Sequence, residues 1–239
     1  VAAGREDRML GEKHRAGTDV YVACAKELYG AHTSHTELHE NILKLFKRGS
    51  SVRIVTTNFD NHFSTAAKKV YRKEPPKEHH APALPLGDCF KGIVYLHGSV
   101  VEDASNLVLT DRDFGEAYLT RGWATKFLVD LFSTYTVLFV GYSHNDVTTT
   151  YLARGLNPST TQKRWALRPH DATKEELRNW QHLDIDVMPY PLNPDTSENS
   201  HSRLCDFFSE WATHRMSRLV SKAKKAKKLA RGLPSESAN

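Results

Sequence analysis

Apolar and polar positions along the chain form two alternating patterns. Short runs rich in Val, Ile, Leu and Phe, typical of buried strands, occur at residues 52–57, 92–96, 136–141, 164–167 and 185–188. A weaker run at 107–109 predicts a short additional strand. Between the runs, apolar residues recur at i, i+4, i+7 and i+8, as Leu38, Ile42, Leu45 and Phe46 do. This spacing predicts helices with one apolar face.

The helical spacing covers residues 20–46, 110–133, 146–156 and 173–183. Thr110, with Asp113 three residues later, is typical of a capped helix start. Another helix is predicted after Asn58 or Asp60, either of which is a suitable cap. A last amphipathic helix is marked by Leu204, Phe207, Phe208 and Trp211.

The order of these segments predicts the fold class. Residues 73–87 contain four prolines and several charged side chains, and they predict a loop. The remaining strands alternate with helices, as in βαβ units. The sequence therefore predicts an α/β fold: a Rossmann-like, doubly wound, mostly parallel sheet with helices on both faces.

Polar residues follow three of the predicted strands. The sequence is TTNFD at the end of the first strand, HGS after the second and GYSHND after the third. Ligands of open parallel sheets bind beyond the carboxyl ends of the strands, so these residues are expected to converge on one crevice. Each also has a structural explanation, because Asn58 and Asp60 suit helix caps, His97 suits a turn and Gly141 suits close packing.

Taken together and in this order, the three motifs resemble those of sirtuins between residues 52 and 156. TTNFD is similar to the Thr-Gln-Asn-x-Asp motif, LHGS to the catalytic Leu-His-Gly, and VGYS to the Gly-Thr-Ser motif. The residues of these motifs are more similar to those of the divergent sirtuin-like domains of bacterial anti-phage defence, whose known members mostly hydrolyse NAD. The resemblance thus implies NAD as substrate.

The resemblance also implies roles for individual residues. Asn58 would lie beside the nicotinamide ribose and help to place the attacking water, and His97 would be the general base. Asp60 would hydrogen-bond the carboxamide. The other residues implied in NAD binding are Thr57, Gly141, Tyr142 and Ser143. Cleavage of the ribose–nicotinamide bond passes through an oxocarbenium-like state and releases a neutral leaving group, so an amide and an imidazole suffice without a metal.

Two departures from the family shift the expected activity. Its Gly-Ala-Gly-type phosphate loop is not found, since Gly4 and Gly11 have no strand before them, and we expect that loop upstream or absent. The three scattered cysteines cannot form the four-cysteine zinc module of protein-deacylating sirtuins. The sequence therefore favours NAD hydrolysis over NAD-dependent deacylation, with a non-catalytic nucleotide-binding module as the third alternative.

Charge and composition add the remaining expectations. The net charge of +5 is concentrated in six cations between residues 222 and 231, which form a nucleic-acid arm or, as we favour, continue a helix. We therefore divide the chain into an NAD-binding domain, 1–212, and a basic helix or linker, 213–239. The sequence shows neither a secretory signal nor a membrane-length apolar stretch, and predicts a cytoplasmic location. A homo-oligomer and an activating protein partner or phage-derived trigger are expected.

One histidine pattern also suggested a metal site. His32, His35 and His39 are spaced i, i+3 and i+7, as on one stripe of a helix. The pattern fixes no carboxylate ligand and nearby Cys24 is poorly placed, so a polar helix face or a subunit contact is the favoured interpretation.

Overall fold

The structure is a computed structural model that describes residues 6–30, 34–141, 162–193 and 201–231. Its helices are α1 Glu6–Arg15, α2 Val20–Gly30, α3 Glu37–Lys44, α4 His62–Tyr71, α5 Asp111–Gly115, α6 Trp123–Thr134, α7 Lys174–His182 and α8 Ser202–Arg231. Its strands are β1 Arg53–Thr56, β2 Glu78–His80, β3 Gly92–Tyr95, β4 Val137–Phe139, β5 Arg164–Pro169 and β6 Asp186–Tyr190. A π-helical turn, Glu116–Thr120, links α5 to the residues before α6.

The described strands form two parallel sheets of three strands each. Strand β3 lies between β1 and β2, and β5 lies between β4 and β6. Every pairing is parallel. Helices precede or follow the strands along the chain, which confirms the predicted Rossmann-like α/β class.

Helices cover both faces of the strands. Along β3, Val94 packs into one apolar cluster and Ile93 into another, because successive strand residues point to opposite faces. The first cluster contains Phe127 and Phe132 of α6, and the second contains Leu43 of α3. The strands are therefore buried from two sides, as in a doubly wound fold.

Three local predictions were wrong. The predicted loop 73–87 contains strand β2, which pairs with the free edge of β3 although its sequence, EHH, has no apolar residue. The pattern 20–46 is divided into α2 and α3, because Thr36 caps a new helix through its reciprocal contacts with His39. Residues 107–109 are extended but pair with no described strand, so they are not a strand.

The break between α2 and α3 also separates the histidines that were predicted to lie on one stripe of a helix. His35 precedes the cap of α3, whereas His39 lies inside the helix with its Nδ1 3.1 Å from the amide of Thr36. The third histidine, His32, lies outside the described residues. The pattern therefore does not form one face of a helix.

Helix starts and the C-terminal helix agree better with the sequence. Thr110 caps α5 as predicted: its amide donates to Asp113 at 2.8 Å and its hydroxyl accepts from the amide of Asp113 at 3.3 Å. Helix α8 includes the basic segment, as favoured, and runs through residues 212 and 213 without interruption, so the division of the chain at this point stays a prediction. The predicted helix at 146–156 lies outside the described residues.

Candidate functional site

The register of the first sheet brings two predicted site residues to the same level. Thr56 of β1 is paired with Tyr95 of β3 at the last paired position of both strands. Asn58 and His97 each follow this pair by two residues. Because the strands are parallel, both residues leave the same edge of the sheet.

Hydrogen bonds hold the two loops together beyond the strands. The carbonyl of Phe59 accepts from the amide of Val100 at 2.9 Å and from the hydroxyl of Ser99 at 3.2 Å. Ser99 is only 1% exposed, so this contact is shielded from water. The loop that carries Asn58 is thereby fixed against the loop that carries His97.

The residues after β1 and β3 line one cavity of about 330 Å³. This volume is near the lower end of the range of about 300–1,000 Å³ that ligand pockets span. The lining contains residues from the two loops, from α1 and from the region of α5: Thr57, Asn58, Phe59, His97, Glu6, Asp7, Leu10, Val108, Leu109 and Phe114. Three of the residues predicted from the motifs, Thr57, Asn58 and His97, are therefore brought together.

Asn58 and His97 differ in their surroundings. Asn58 is exposed, and its backbone amide donates to the hydroxyl of Thr56 at 3.1 Å. His97 is 3% exposed, and its Nε2 lies 2.8 Å from the hydroxyl oxygen of Tyr118. The lining of the cavity thus includes both an exposed residue, Asn58, and a buried imidazole, His97.

Aromatic rings surround His97. Phe114 contacts it edge to face, with ring centroids 5.2 Å apart, and Phe59 lies 6.4 Å away by the same measure. Tyr118 stacks on Phe114 with an interplanar angle of 15°. These rings restrict the orientation of the imidazole and exclude water from most of it.

The other predicted site residues are placed differently. The Asp60 carboxylate accepts from the backbone amide of His62 at 2.9 Å, at the start of α4, and Asp60 is not among the residues that line the cavity. Gly141 is exposed and adopts a left-handed φ of 69°, which glycine tolerates best. Tyr142 and Ser143 lie outside the described residues. The roles of these four residues in binding stay predictions.

Sequence reasoning missed the contribution of α1. Glu6, Asp7 and Leu10 line the cavity although they precede every motif. Helix α1 is held against α5 by an ion pair of 3.6 Å between Arg15 and Asp111. A charged amphipathic helix carries no motif, so only the tertiary contact reveals it.

The next helix, α2, adds a second tie to α5. The hydroxyl of Tyr21 donates to the carboxylate of Asp113, with oxygen–oxygen distances of 2.8 and 2.9 Å. Burial is the main cause that raises the pKa of Tyr21, and Asp113 raises it further. The hydroxyl therefore keeps its proton at neutral pH and remains a donor.

In the described parts of the chain, no group of three or more His, Cys, Asp or Glu side chains is arranged to hold a metal ion. Among the same residues, no helix combines the length and the apolar character needed to cross a bilayer.

Comparison with known proteins assigns the family. A family model described as SIR2-like domain matches residues 52–188, more than half of the chain. The chain therefore belongs to the SIR2-like domain family, as the motifs predicted. Members of this family are in general NAD-dependent enzymes.

The chain is also similar to a protein of Sinorhizobium fredii (strain NBRC 101917 / NGR234). The two are 36% identical over 165 residues, and the relative bears the name Uncharacterized protein y4cA. The match covers 63% of this chain but 14% of the relative, so the chain spans only a small part of that protein's length.

Proposed function

We propose that this protein is an NAD glycohydrolase that cleaves the bond between nicotinamide and ribose with water. The observation that carries the proposal is the shared cavity lined by Asn58 and His97. An amide that orients water and an imidazole that accepts its proton are the two groups this reaction needs.

The lining of the cavity fits the nicotinamide end of NAD. Phe59 and Phe114 offer apolar surfaces to a flat ring, and Glu6 and Asp7 supply negative charge. The nicotinamide ring of NAD is cationic, and positive charge moves onto the ribose as the bond breaks. No Lys or Arg is found among the described lining residues, so the pyrophosphate would be bound elsewhere.

The reaction balances with these residues alone. The bond between ribose C1′ and the ring nitrogen breaks, and its electron pair leaves with neutral nicotinamide. The water oxygen bonds to C1′ from a position beside Asn58, and one water proton passes to His97. Release of that proton to solvent completes the formation of ADP-ribose.

We further propose that the reaction depletes NAD as an effector of anti-phage defence in a cytoplasmic homo-oligomer, activated by a protein partner or a phage-derived trigger. The resemblance of the motifs to defence-associated sirtuin-like domains supports this proposal. Expression of the protein in bacterial cells that are then infected with phage, followed by measurement of cellular NAD, would test it. Unchanged NAD levels and phage titres would contradict the defence role.

The direct test of the activity is nicotinamide release from NAD, measured with and without an acetylated peptide. We expect peptide-independent release that falls at least about 100-fold in Asn58→Ala and in His97→Gln, within the range usual for loss of acid–base groups. His182→Ala is the matched control, because His182 is exposed at the end of α7 and does not line the cavity.

The other activities give different results in this assay. Release only in the presence of the peptide would identify a deacylase. Binding of NAD without release, both by the chain alone and after addition of extract from phage-infected cells that supplies the trigger, would identify a non-catalytic module. Either result would overturn the hydrolase proposal.

A further inference from the structure

We propose that Tyr118 is a positioning residue that holds His97 in the tautomer with its proton on Nε2. For the reaction this rests on the proposed NAD hydrolysis, whereas the tautomer itself is a property of the protein without ligand. The two hypotheses can therefore fail separately.

The contact that carries the proposal is short and buried. The Tyr118 hydroxyl oxygen lies 2.8 Å from Nε2 of His97. Tyr118 is 5% exposed and His97 is 3% exposed. Water competes poorly for a hydrogen bond in such a place, so the pairing is expected to be permanent.

The backbone of Tyr118 is fixed in an unusual way. Tyr118 lies in the middle of the π-helical turn Glu116–Thr120. Single π-helical turns are rare and are often found at functional sites. The hydroxyl of Thr125 at the start of α6 donates to the carbonyl of Tyr118 at 2.7 Å, which anchors the turn from below.

The tautomer follows from which ring nitrogen of His97 can accept a proton from a ligand in the cavity. His97 lines the cavity, while its Nε2 is directed at Tyr118. A base that acts on a ligand in the cavity must therefore use the lone pair of Nδ1. A neutral imidazole with a lone pair on Nδ1 carries its proton on Nε2, and this N–H donates to the hydroxyl oxygen of Tyr118.

The same hydrogen bond serves the protonated ring. When Nδ1 takes a proton from water, the imidazolium keeps its Nε2–H donated to Tyr118. The contact thus supports both protonation states that the reaction requires. A phenol in this role remains neutral, which distinguishes it from the carboxylate that orients histidine in many hydrolases.

The charged groups on the surrounding described elements line the cavity or accept hydrogen bonds from other residues. On α1, Glu6 and Asp7 line the cavity. On α5, the Asp113 carboxylate accepts from Tyr21 and from the backbone amides before the helix. After β1, the Asp60 carboxylate accepts from the start of α4. Compared with these groups, the Tyr118 hydroxyl oxygen lies directly at Nε2, 2.8 Å away.

The test compares Tyr118→Phe with the unaltered chain by ¹⁵N NMR of selectively labelled histidines. The His97 signals are assigned by their disappearance in His97→Gln. In the unaltered chain we expect the neutral Nε2–H tautomer. In Tyr118→Phe we expect a mixture of tautomers and a protonation midpoint at lower pH, because the imidazolium loses the acceptor of one N–H.

Kinetics provide the second measurement. Tyr118→Phe is expected to lower the turnover number for nicotinamide release about 10- to 100-fold, with a smaller change in KM. The acidic limb of the pH profile should move to lower pH together with the NMR midpoint. Tyr135→Phe is the matched control, since its hydroxyl donates to the carbonyl of Asp88 at 2.6 Å and not to the cavity.

The outcomes separate the two hypotheses. An Nδ1–H tautomer in the unaltered chain overturns the positioning role, even if Tyr118→Phe fails to fold. An unchanged His97 tautomer and midpoint in a folded Tyr118→Phe also overturns it. Absence of NAD cleavage in the unaltered chain, also after addition of extract from phage-infected cells, contradicts the hydrolase proposal, while the NMR result still decides the role of Tyr118.

Discussion

Gly98 determines the path of the chain directly after His97. Its φ is 87°, a left-handed conformation that residues with a Cβ rarely adopt. A Cβ at this position would lie 2.9 Å from the carbonyl oxygen of Asn106 and 3.2 Å from the side chain of Leu107. Both the backbone angle and the available space therefore require glycine at the turn that presents His97.

Replacement of Gly98 by Ala is expected to damage both stability and the site. We expect a loss of about 2–3 kcal/mol in the free energy of unfolding, of which about 1 kcal/mol reflects the backbone angle and the rest the contact with Asn106. Gly17→Ala is the control, because Gly17 has a φ of 95° but nothing within 4 Å of the added Cβ. Urea denaturation measures both, and equal losses would contradict the steric explanation.

The acidic first turn of α1 provides a test at the scale of the element. If Glu6 and Asp7 stabilise positive charge in the cavity, the double substitution Glu6→Gln, Asp7→Asn should lower kcat/KM for NAD about 3- to 10-fold. The effect should shrink in high salt, since these side chains are partly solvated. Glu12→Gln is the control on the same helix, because Glu12 is exposed and pairs with Arg8 at 3.2 Å. A faster double variant would show that the carboxylates obstruct NAD instead.

The contact between α3 and α4 predicts how stability changes at alkaline pH. The Tyr71 hydroxyl, at the end of α4, donates to the carbonyl of Leu43 in the last turn of α3 and to that of Phe46 just after the helix. Burial raises the pKa of Tyr71 to about 12, against the opposing effect of Arg215. The unfolded chain, with a tyrosine pKa of about 10, then loses the proton first.

Stability from Tyr71 is therefore fully present below pH ~10 and is lost as the pH rises from about 10 to about 12. The free energy of unfolding should therefore decrease between pH 8 and pH 11 in the unaltered chain. In Tyr71→Phe, which has no hydroxyl to titrate at this position, the decrease should be smaller by about 1 kcal/mol. Urea midpoints at the two pH values measure this difference. Tyr135→Phe serves as the control, because the hydrogen bond of the Tyr135 hydroxyl is exposed. An equal decrease in the free energy of unfolding in the unaltered chain and both variants would refute the assignment to Tyr71.

Most elements could be predicted from the sequence because their burial leaves a periodic pattern. Strands β1 and β3 are apolar runs since helices cover them from two sides. Strand β2 could not be found, because an edge strand can be as polar as EHH when its backbone bonds to β3. The gap between α2 and α3 was missed although Gly30 and the polar residues after it interrupt the apolar spacing.

The site could be predicted where it depends on strand ends, but not where it depends on helix packing. Asn58 and His97 share a cavity because β1 and β3 are parallel neighbours, which the motifs indicated. Tyr118 meets His97 only through the π-helical turn, which changes the phase of the helical spacing. The Asp60 carboxylate accepts from the start of α4, as the sequence also allowed, and its role in NAD binding stays a prediction.

Helices α6 and α3 each pack against both sheets, and we expect this shared packing to determine how the whole molecule unfolds. On one face, Phe132 of α6 belongs to a cluster that includes Val94 of β3, and Val137 and Phe139 of β4 pack against it. On the other face, Ile42 of α3 packs into the clusters of both sheets. Apolar contacts therefore cross from one sheet to the other, and the sheets are expected to unfold together.

Phe132 tests this coupling most directly. It is 1% exposed, stacks on Phe139 with centroids 5.9 Å apart, and carries the Arg164 guanidinium over its ring at 5.6 Å. Phe132→Ala should cost about 3–5 kcal/mol in the free energy of unfolding through lost burial and a residual cavity. Leu119→Ala, at a residue 64% exposed, should change stability by no more than about 0.5 kcal/mol.

The shape of the unfolding transition is the informative measurement. Far-UV circular dichroism reports on helices throughout the chain, whereas tryptophan fluorescence includes the buried Trp180, which contacts Phe139 at a centroid distance of 5.9 Å. If α6 joins the sheets into one cooperative unit, both signals should shift to lower urea together in Phe132→Ala. Separate transitions in the unaltered chain, or a shift of one signal alone, would mean that the sheets unfold independently. In that case the site on the first sheet would not depend on packing against the second.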